Sequence, residues 1–154
     1  NFFGLSVLNI ETNIFNHDAV PRFPMSMTEM NMPDTIRVMV AEDEPLIAWM
    51  LEDILSGMGL QVVGPFATVA EARSCVSSEP PELALLDVDL ADGVVYPLAD
   101  TLHAQQVPII FHTGNTDKVD LKNRYGGAEV IPKPSNPKRL QIAVETARTL
   151  LKRA

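Results

Sequence analysis

Leu83-Ala84-Leu85-Leu86-Asp87 is a run of four apolar residues that stops on a carboxylate. Bounded by Pro80-Pro81 before it, so short and continuous an apolar run fits a strand buried on both faces. The chain offers a second run of this kind, Ile36-Arg37-Val38-Met39-Val40-Ala41, and it also ends in acids, Glu42-Asp43-Glu44. As parallel neighbours, the two would carry their carboxylates to one edge of a sheet. Open α/β folds place their chemistry at that edge. Carboxylates crowded there repel one another, and a hard divalent cation held by oxygen ligands relieves the repulsion.

Working outward from these strands, β-type runs alternate with helical patterns, which argues for βαβ units and a parallel sheet. After the first strand a helix opens with Pro45 in its first turn, carries Ile47, Met50, Leu51, Ile54 and Met58 on one face, and ends at Gly57 and Gly59. A second strand follows over 61–66. Thr68 then caps a helix, with Glu71 three residues on as in a capping box. Beyond Asp87 the pattern predicts a helix near 95–105, a strand over 108–113, a weaker helix within 117–125, a strand over 129–132 and a last helix over 136–152. In that last helix Leu140, Ala143, Val144, Ala147 and Leu151 face inward. Right-handed crossovers turn this series into a doubly wound sheet of five parallel strands.

Bulk properties bound the function. The chain has 154 residues, enough for one domain with a proper core. A net charge of −8, with no Lys/Arg-rich stretch, argues against nucleic acid or an anionic membrane as partner. The apolar runs are too short to span a bilayer, and the N-terminus lacks the pattern of a secretory signal. One cysteine, Cys75, forms no internal disulfide and fits a reducing cytoplasm. Its helical spacing from Val69, Ala72 and Val76 predicts a small core residue. Residues 1–34 differ in texture from 35–154. They hold four phenylalanines and a Met-rich stretch without a sustained period, and are expected to form a flexible extension or an arm docking on an apolar groove.

Four features converge if this fold is right. Glu42 and Asp43 follow the first strand, Asp87 ends the third, Thr113 ends the fourth and Lys133 follows the fifth. Each has a bland reading alone: a helix cap, a strand end, a surface lysine. Together they supply acids for a cation, a nucleophilic carboxylate, a hydroxyl and a fixed positive charge, which is what phosphoryl transfer needs.

Residues 35–152 resemble a receiver domain of the two-component response-regulator family. The motifs that carry the resemblance are Val-Met-Val-Ala-Glu-Asp-Glu-Pro-Leu-Ile (38–47), Leu-Leu-Asp-Val-Asp-Leu-Ala-Asp-Gly (85–93), Pro-Ile-Ile-Phe-His-Thr-Gly (108–114) and Gly-Ala-Glu-Val-Ile-Pro-Lys-Pro (127–134). Phe111-His112-Thr113-Gly114 is similar to a subgroup marked by Phe-Ala-Thr-Gly. The resemblance implies a flavodoxin-like (βα)5 fold with strand order 2-1-3-4-5. It implies that Asp87 is phosphorylated by a histidine kinase or a histidine phosphotransfer protein. Glu42, Asp43, Asp87 and the backbone carbonyl of Asp89 would hold Mg2+, Asp43 directly and Glu42 through water or across the site. Lys133 and Thr113 would each contact a phosphoryl oxygen, and Lys133-Pro134 resembles the family's cis bond.

Departures from the family pattern carry their own expectations. The position three residues before the lysine, commonly Tyr or Phe, is Val130, so no ring can switch there. Output is expected through order and disorder of residues 114–127. His112 should alternate away from the site, as a satisfied core or surface histidine, with a role at the phosphate site as the alternative. Trp49, opposite the core stripe of the first helix, is the candidate partner-binding residue, with coverage by the N-terminal arm as the bland reading. The resulting expectation is a stand-alone cytoplasmic receiver, monomer or weak dimer, that signals through protein contacts or acts as a phosphate shuttle or sink rather than as an enzyme. The alternatives are an aspartyl-phosphate hydrolase of the haloacid-dehalogenase type, suggested by Asp87-Val88-Asp89, and an adaptor independent of phosphorylation.

Overall fold

The computed structural model describes residues 35–114 and 118–153. The expectation for residues 1–34 lies outside them. Five strands, β1 (Arg37–Ala41), β2 (Gln61–Phe66), β3 (Leu83–Leu86), β6 (Ile109–Thr113) and β7 (Glu129–Pro132), form one parallel sheet in the order β2-β1-β3-β6-β7. Counting only these five, the order is the expected 2-1-3-4-5. Between β3 and the next helix the chain adds a short antiparallel hairpin, β4 (Asp89–Leu90) and β5 (Gly93–Val94), which the sequence pattern did not predict.

The helices are α1 (Pro45–Gly57), α2 (Val69–Ser78), α3 (Tyr96–Ala104), α4 (Lys118–Arg124) and α5 (Pro137–Arg153). Alternation along the strands feeds two apolar layers. Met39, Ala84, Leu86 and Phe111 pack with Ala72 and Val76 of α2 and Leu98 and Leu102 of α3. Val38, Val40, Leu83, Leu85 and Ile110 pack with Leu51 and Leu55 of α1 and Leu140 and Val144 of α5. Burying each of the larger side chains stabilises the fold by about 1.5–3 kcal/mol. On α1 the fully buried pair is Leu51 and Leu55, whereas Ile47, Met50, Ile54 and Met58 are only partly buried, so the apolar stripe is wider than its predicted line. Cys75 packs half-buried against the first layer, as expected.

Local chemistry fixes the ends of the elements. Thr68 Oγ1 accepts from the Glu71 amide at 3.2 Å. Asp92, in the hairpin turn, adds a second cap to α2: its carboxylate oxygens accept from the amides of Val69 at 2.7 Å and Ala70 at 3.1 Å. Those bonds hold the Asp92 carboxyl below its ordinary pKa. The helix α4 is as short as expected, and its C-terminal end is fastened to α3. Arg124 contacts both carboxylate oxygens of Asp100, at 3.2 and 3.0 Å, and its guanidinium lies 4.4 Å from the centre of the Tyr96 ring. Tyr125 is buried with its ring against Phe111 and donates its hydroxyl to Asp100 at 2.6 Å. Among the described residues, no helix is long and apolar enough to cross a membrane.

Candidate phosphoryl-acceptor site

The parallel register brings the strand ends together. The Asp87 amide donates to the carbonyl of Ala41 at 2.9 Å, the Glu42 amide to that of Phe66 at 2.9 Å, and the Lys133 amide to that of Thr113 at 2.9 Å. These three bonds extend the sheet by one residue past its strands. They thereby aim Glu42, Asp87 and Lys133 out of the same edge.

At that edge one ammonium meets several carboxylates. Lys133 Nζ lies 2.8 Å from Asp87 Oδ2, 2.8 Å from Glu42 Oε2 and 3.6 Å from Glu44 Oε1. Burial alone would lower the lysine's pKa, but hydrogen bonding to Asp87 and Glu42 outweighs it, and the group is pushed up to about 12. Desolvation acts on Glu42 in the other direction, raising its carboxyl above the ordinary value although Lys133 opposes the shift. Lys133 therefore stays charged, and its charge is spread over a site with an excess of acids.

The donor set suits a hard divalent cation. Glu42, Asp43 and Asp87 each present a carboxylate oxygen, and these atoms lie within 4.8 Å of one another. Glu42 Oε2 is buried and lies 2.8 Å from the Lys133 ammonium, and a carboxylate oxygen so placed still has a lone pair for a further partner. Asp89 opens β4 at the rim, where its amide donates to Asp87 Oδ1 at 3.3 Å; its own side chain is exposed.

The sequence-predicted residues thus fall into two groups. Glu42, Asp43, Asp87 and Lys133 converge, with Asp89 and the buried Thr113 immediately beside them. Glu42 meets Lys133 directly, in addition to the across-the-site role expected of it. The Lys133–Pro134 bond is cis, as is Gly64–Pro65, which the sequence reading did not single out. Trp49 lies at the border of the cluster: it is 68% exposed on α1 and shares a shallow surface depression with Glu42, Asp43 and Pro45. Val130 is buried in the α2–α3 layer, and Tyr125 supplies a ring beside Phe111 instead. A cavity of about 540 Å³ at the opposite edge of the sheet, lined by His103, Gln106 and Tyr125 among others, contains none of the site residues.

His112 is a core histidine, as alternation predicts, but its partner was not legible. It is buried, and its Nε2 lies 2.8 Å from Ser135 Oγ. Desolvation, then the charge of Lys133, hold its pKa below the usual histidine value, so the ring is neutral near pH 7. No spacing rule connects it to Ser135, because the pairing depends on the path of the loop after Lys133.

Comparisons with known proteins agree with this geometry. Residues 38–145 match the response regulator receiver domain family. The phyllosphere-induced regulator PhyR of Methylorubrum extorquens is 35% identical over 113 residues, which cover 71% of this chain and 42% of that protein. The solution structure of the Erythrobacter litoralis PhyR receiver domain superposes with a TM-score of 0.66 at 29% identity, covering 75% of this chain and 91% of that one. A crystal structure described as the anti-anti-sigma factor PhyR from Bartonella quintana gives a TM-score of 0.62 at 27% identity, covering 84% of this chain and 54% of that one. The chain spans about half the length of the curated relatives it matches.

Proposed function

The chain belongs to the response regulator receiver family, and we propose that residues 35–154 act as a phosphoryl acceptor, with Asp87 as the acceptor carboxylate. The donor is a histidine kinase or a histidine phosphotransfer protein. A carboxylate oxygen of Asp87 attacks phosphorus as the bond from phosphorus to the donor's imidazole nitrogen breaks, and an acyl phosphate results. The observation that carries this reading is the convergence of Asp87, Glu42, Asp43 and Lys133 at one sheet edge.

Glu42, Asp43, Asp87 and the backbone carbonyl of Asp89 would hold Mg2+. When bound, this ion offsets negative charge on the acceptor and on the transferring group. The chain's own residues do the rest. Lys133, held charged, exchanges its contact with Asp87 Oδ2 for a phosphoryl oxygen. Thr113, at the end of β6 and bonded through its carbonyl to the Lys133 amide, offers its hydroxyl to another. Movement of Thr113 then biases the segment that leads to α4, so that output passes through protein contacts. Trp49, exposed on α1 and sharing a surface depression with Glu42 and Asp43, suits a docking donor. The Bartonella relative is an anti-anti-sigma factor, and only part of it is matched, so a downstream protein partner of this chain follows by analogy alone.

Acetyl phosphate with Mg2+ should label wild-type protein with one alkali-labile phosphoryl group and leave Asp87→Asn unlabelled. With beryllofluoride and Mg2+, amide NMR shifts should spread into residues 114–134 in wild type only. Labelling of Asp87→Asn, or continuous turnover of p-nitrophenyl phosphate, would refute the acceptor reading in favour of a hydrolase or another site.

A further inference from the structure

We propose that His112 is a positioning residue for Lys133, acting through Ser135 to hold the loop from which the lysine reaches Asp87 and Glu42. The inference rests on the acceptor reading only for its consequence on phosphotransfer; the positioning itself is structural.

Strand β6 turns Ile110 toward the α1–α5 layer, and alternation sends His112 the same way, opposite Ile131 in the register with β7. A side chain so placed would ordinarily be apolar. An imidazole there is 2% exposed, and its Nδ1 is buried without a hydrogen-bond partner among the described residues, which costs desolvation free energy. What distinguishes it from an apolar residue is the 2.8 Å contact of Nε2 with Ser135 Oγ.

That contact lies in the middle of a short loop tied at both ends. On one side the Lys133 amide donates to the Thr113 carbonyl at 2.9 Å. On the other, Asn136 caps α5: its Oδ1 accepts from the Lys138 amide at 2.9 Å, and its carbonyl accepts from the amides of Arg139 and Leu140. Ser135 sits between, and His112 pins it to β6. The need for such a pin is geometric. Lys133 must satisfy Asp87 and Glu42 simultaneously at 2.8 Å through a long, flexible side chain. A backbone shift of about 1 Å in this loop carries either contact past hydrogen-bond range. The neutral imidazole has one N–H and one acceptor nitrogen, so with Ser135 either group can donate.

The test uses the full chain at fixed pH and reads two quantities, the first without Mg2+ and the second with it. Reductive methylation followed by mass spectrometry measures access to the Lys133 amine, with the exposed Lys122 as internal reference. Phosphorylation by acetyl phosphate with Mg2+ measures transfer. Ser135→Ala and His112→Ala should each raise Lys133 methylation severalfold relative to Lys122, and the double variant should go no further than the faster single. His112→Gln, which keeps a hydrogen-bonding group toward Ser135, should restore much of the protection. Transfer should fall about tenfold in Ser135→Ala. Should Ser135→Ala methylate Lys133 at the wild-type rate, or should Lys122 and Lys133 rise together, the positioning role is overturned. If His112→Ala does not fold, Ser135→Ala and His112→Gln decide the question. A methylation pattern as expected in a protein whose wild type takes no phosphoryl group would uphold the positioning role and sink the acceptor reading instead.

Discussion

His112 and Glu42 are both buried ionisable groups, and desolvation is the largest influence on each, yet the consequences for stability have opposite signs. For His112 the folded pKa lies below the ordinary 6.5, so the unfolded chain takes up the proton first as pH falls. Its contribution to stability is complete above about pH 6.5 and is lost as pH drops toward the folded value. For Glu42 the folded pKa lies above the ordinary 4.5, so the folded chain takes up the proton first. Its ionised form destabilises the fold above that window, and the effect is relieved as pH falls through the folded value. Melting temperatures of wild type and His112→Gln between about pH 7.5 and 5.5 separate the two. Wild type should lose the greater part of its advantage at the acidic end; parallel curves would mean that His112 titrates alike in both states. At this scale the site was largely legible, because an acid or a lysine directly after an apolar run declares its edge. His112 was legible as a core histidine but its partner was not, since Ser135 lies in a loop whose course no local pattern encodes.

Elements differ in how tightly they constrain a single residue, and two glycines make the difference measurable. Gly64 in β2 has φ +101°, and a Cβ there would approach the Val40 carbonyl oxygen at 2.8 Å and the Phe66 amide nitrogen at 2.9 Å. Gly59, just past α1, has φ +80° but open space around the same position. Gly64→Ala therefore meets both backbone strain and a collision and should lower unfolding free energy by about 3 kcal/mol, against about 1 kcal/mol for Gly59→Ala. Urea unfolding of the two variants measures the contrast, and equal losses would show that the strand yields around the added carbon. The same local logic explains what the sequence disclosed of the elements. Apolar strands flanked by Pro and acids were placed to within a residue or two, and Thr68 announced α2. The hairpin β4–β5 escaped because two-residue strands have no period to detect. Asp92 was missed as a cap because the amides it serves lie 23 and 22 positions upstream.

At the scale of the whole molecule, the proposed Mg2+ site would couple ligand binding to folding. A chain that holds Mg2+ only when β1 and β3 are paired is stabilised by it, by about 2.7 kcal/mol at a hundredfold excess over the dissociation constant. The melting temperature should rise with millimolar MgCl2, and Asp43→Asn should abolish the rise while leaving the fold intact. A wild-type melting temperature indifferent to Mg2+ would contradict the metal assignment.

The clamp that Arg124, Asp100, Tyr96 and Tyr125 form at the far end of α4 has a mechanical corollary. In the proposed switch, a displacement of Thr113 would reach this helix from the end opposite the clamp, about 10 Å away along its axis for seven residues. A beam loaded so pivots more than it slides. A small nudge at the strand tip would thereby become a change of slope, and a surface riding on α4 would sense the event as a turn in direction rather than as a shift in position.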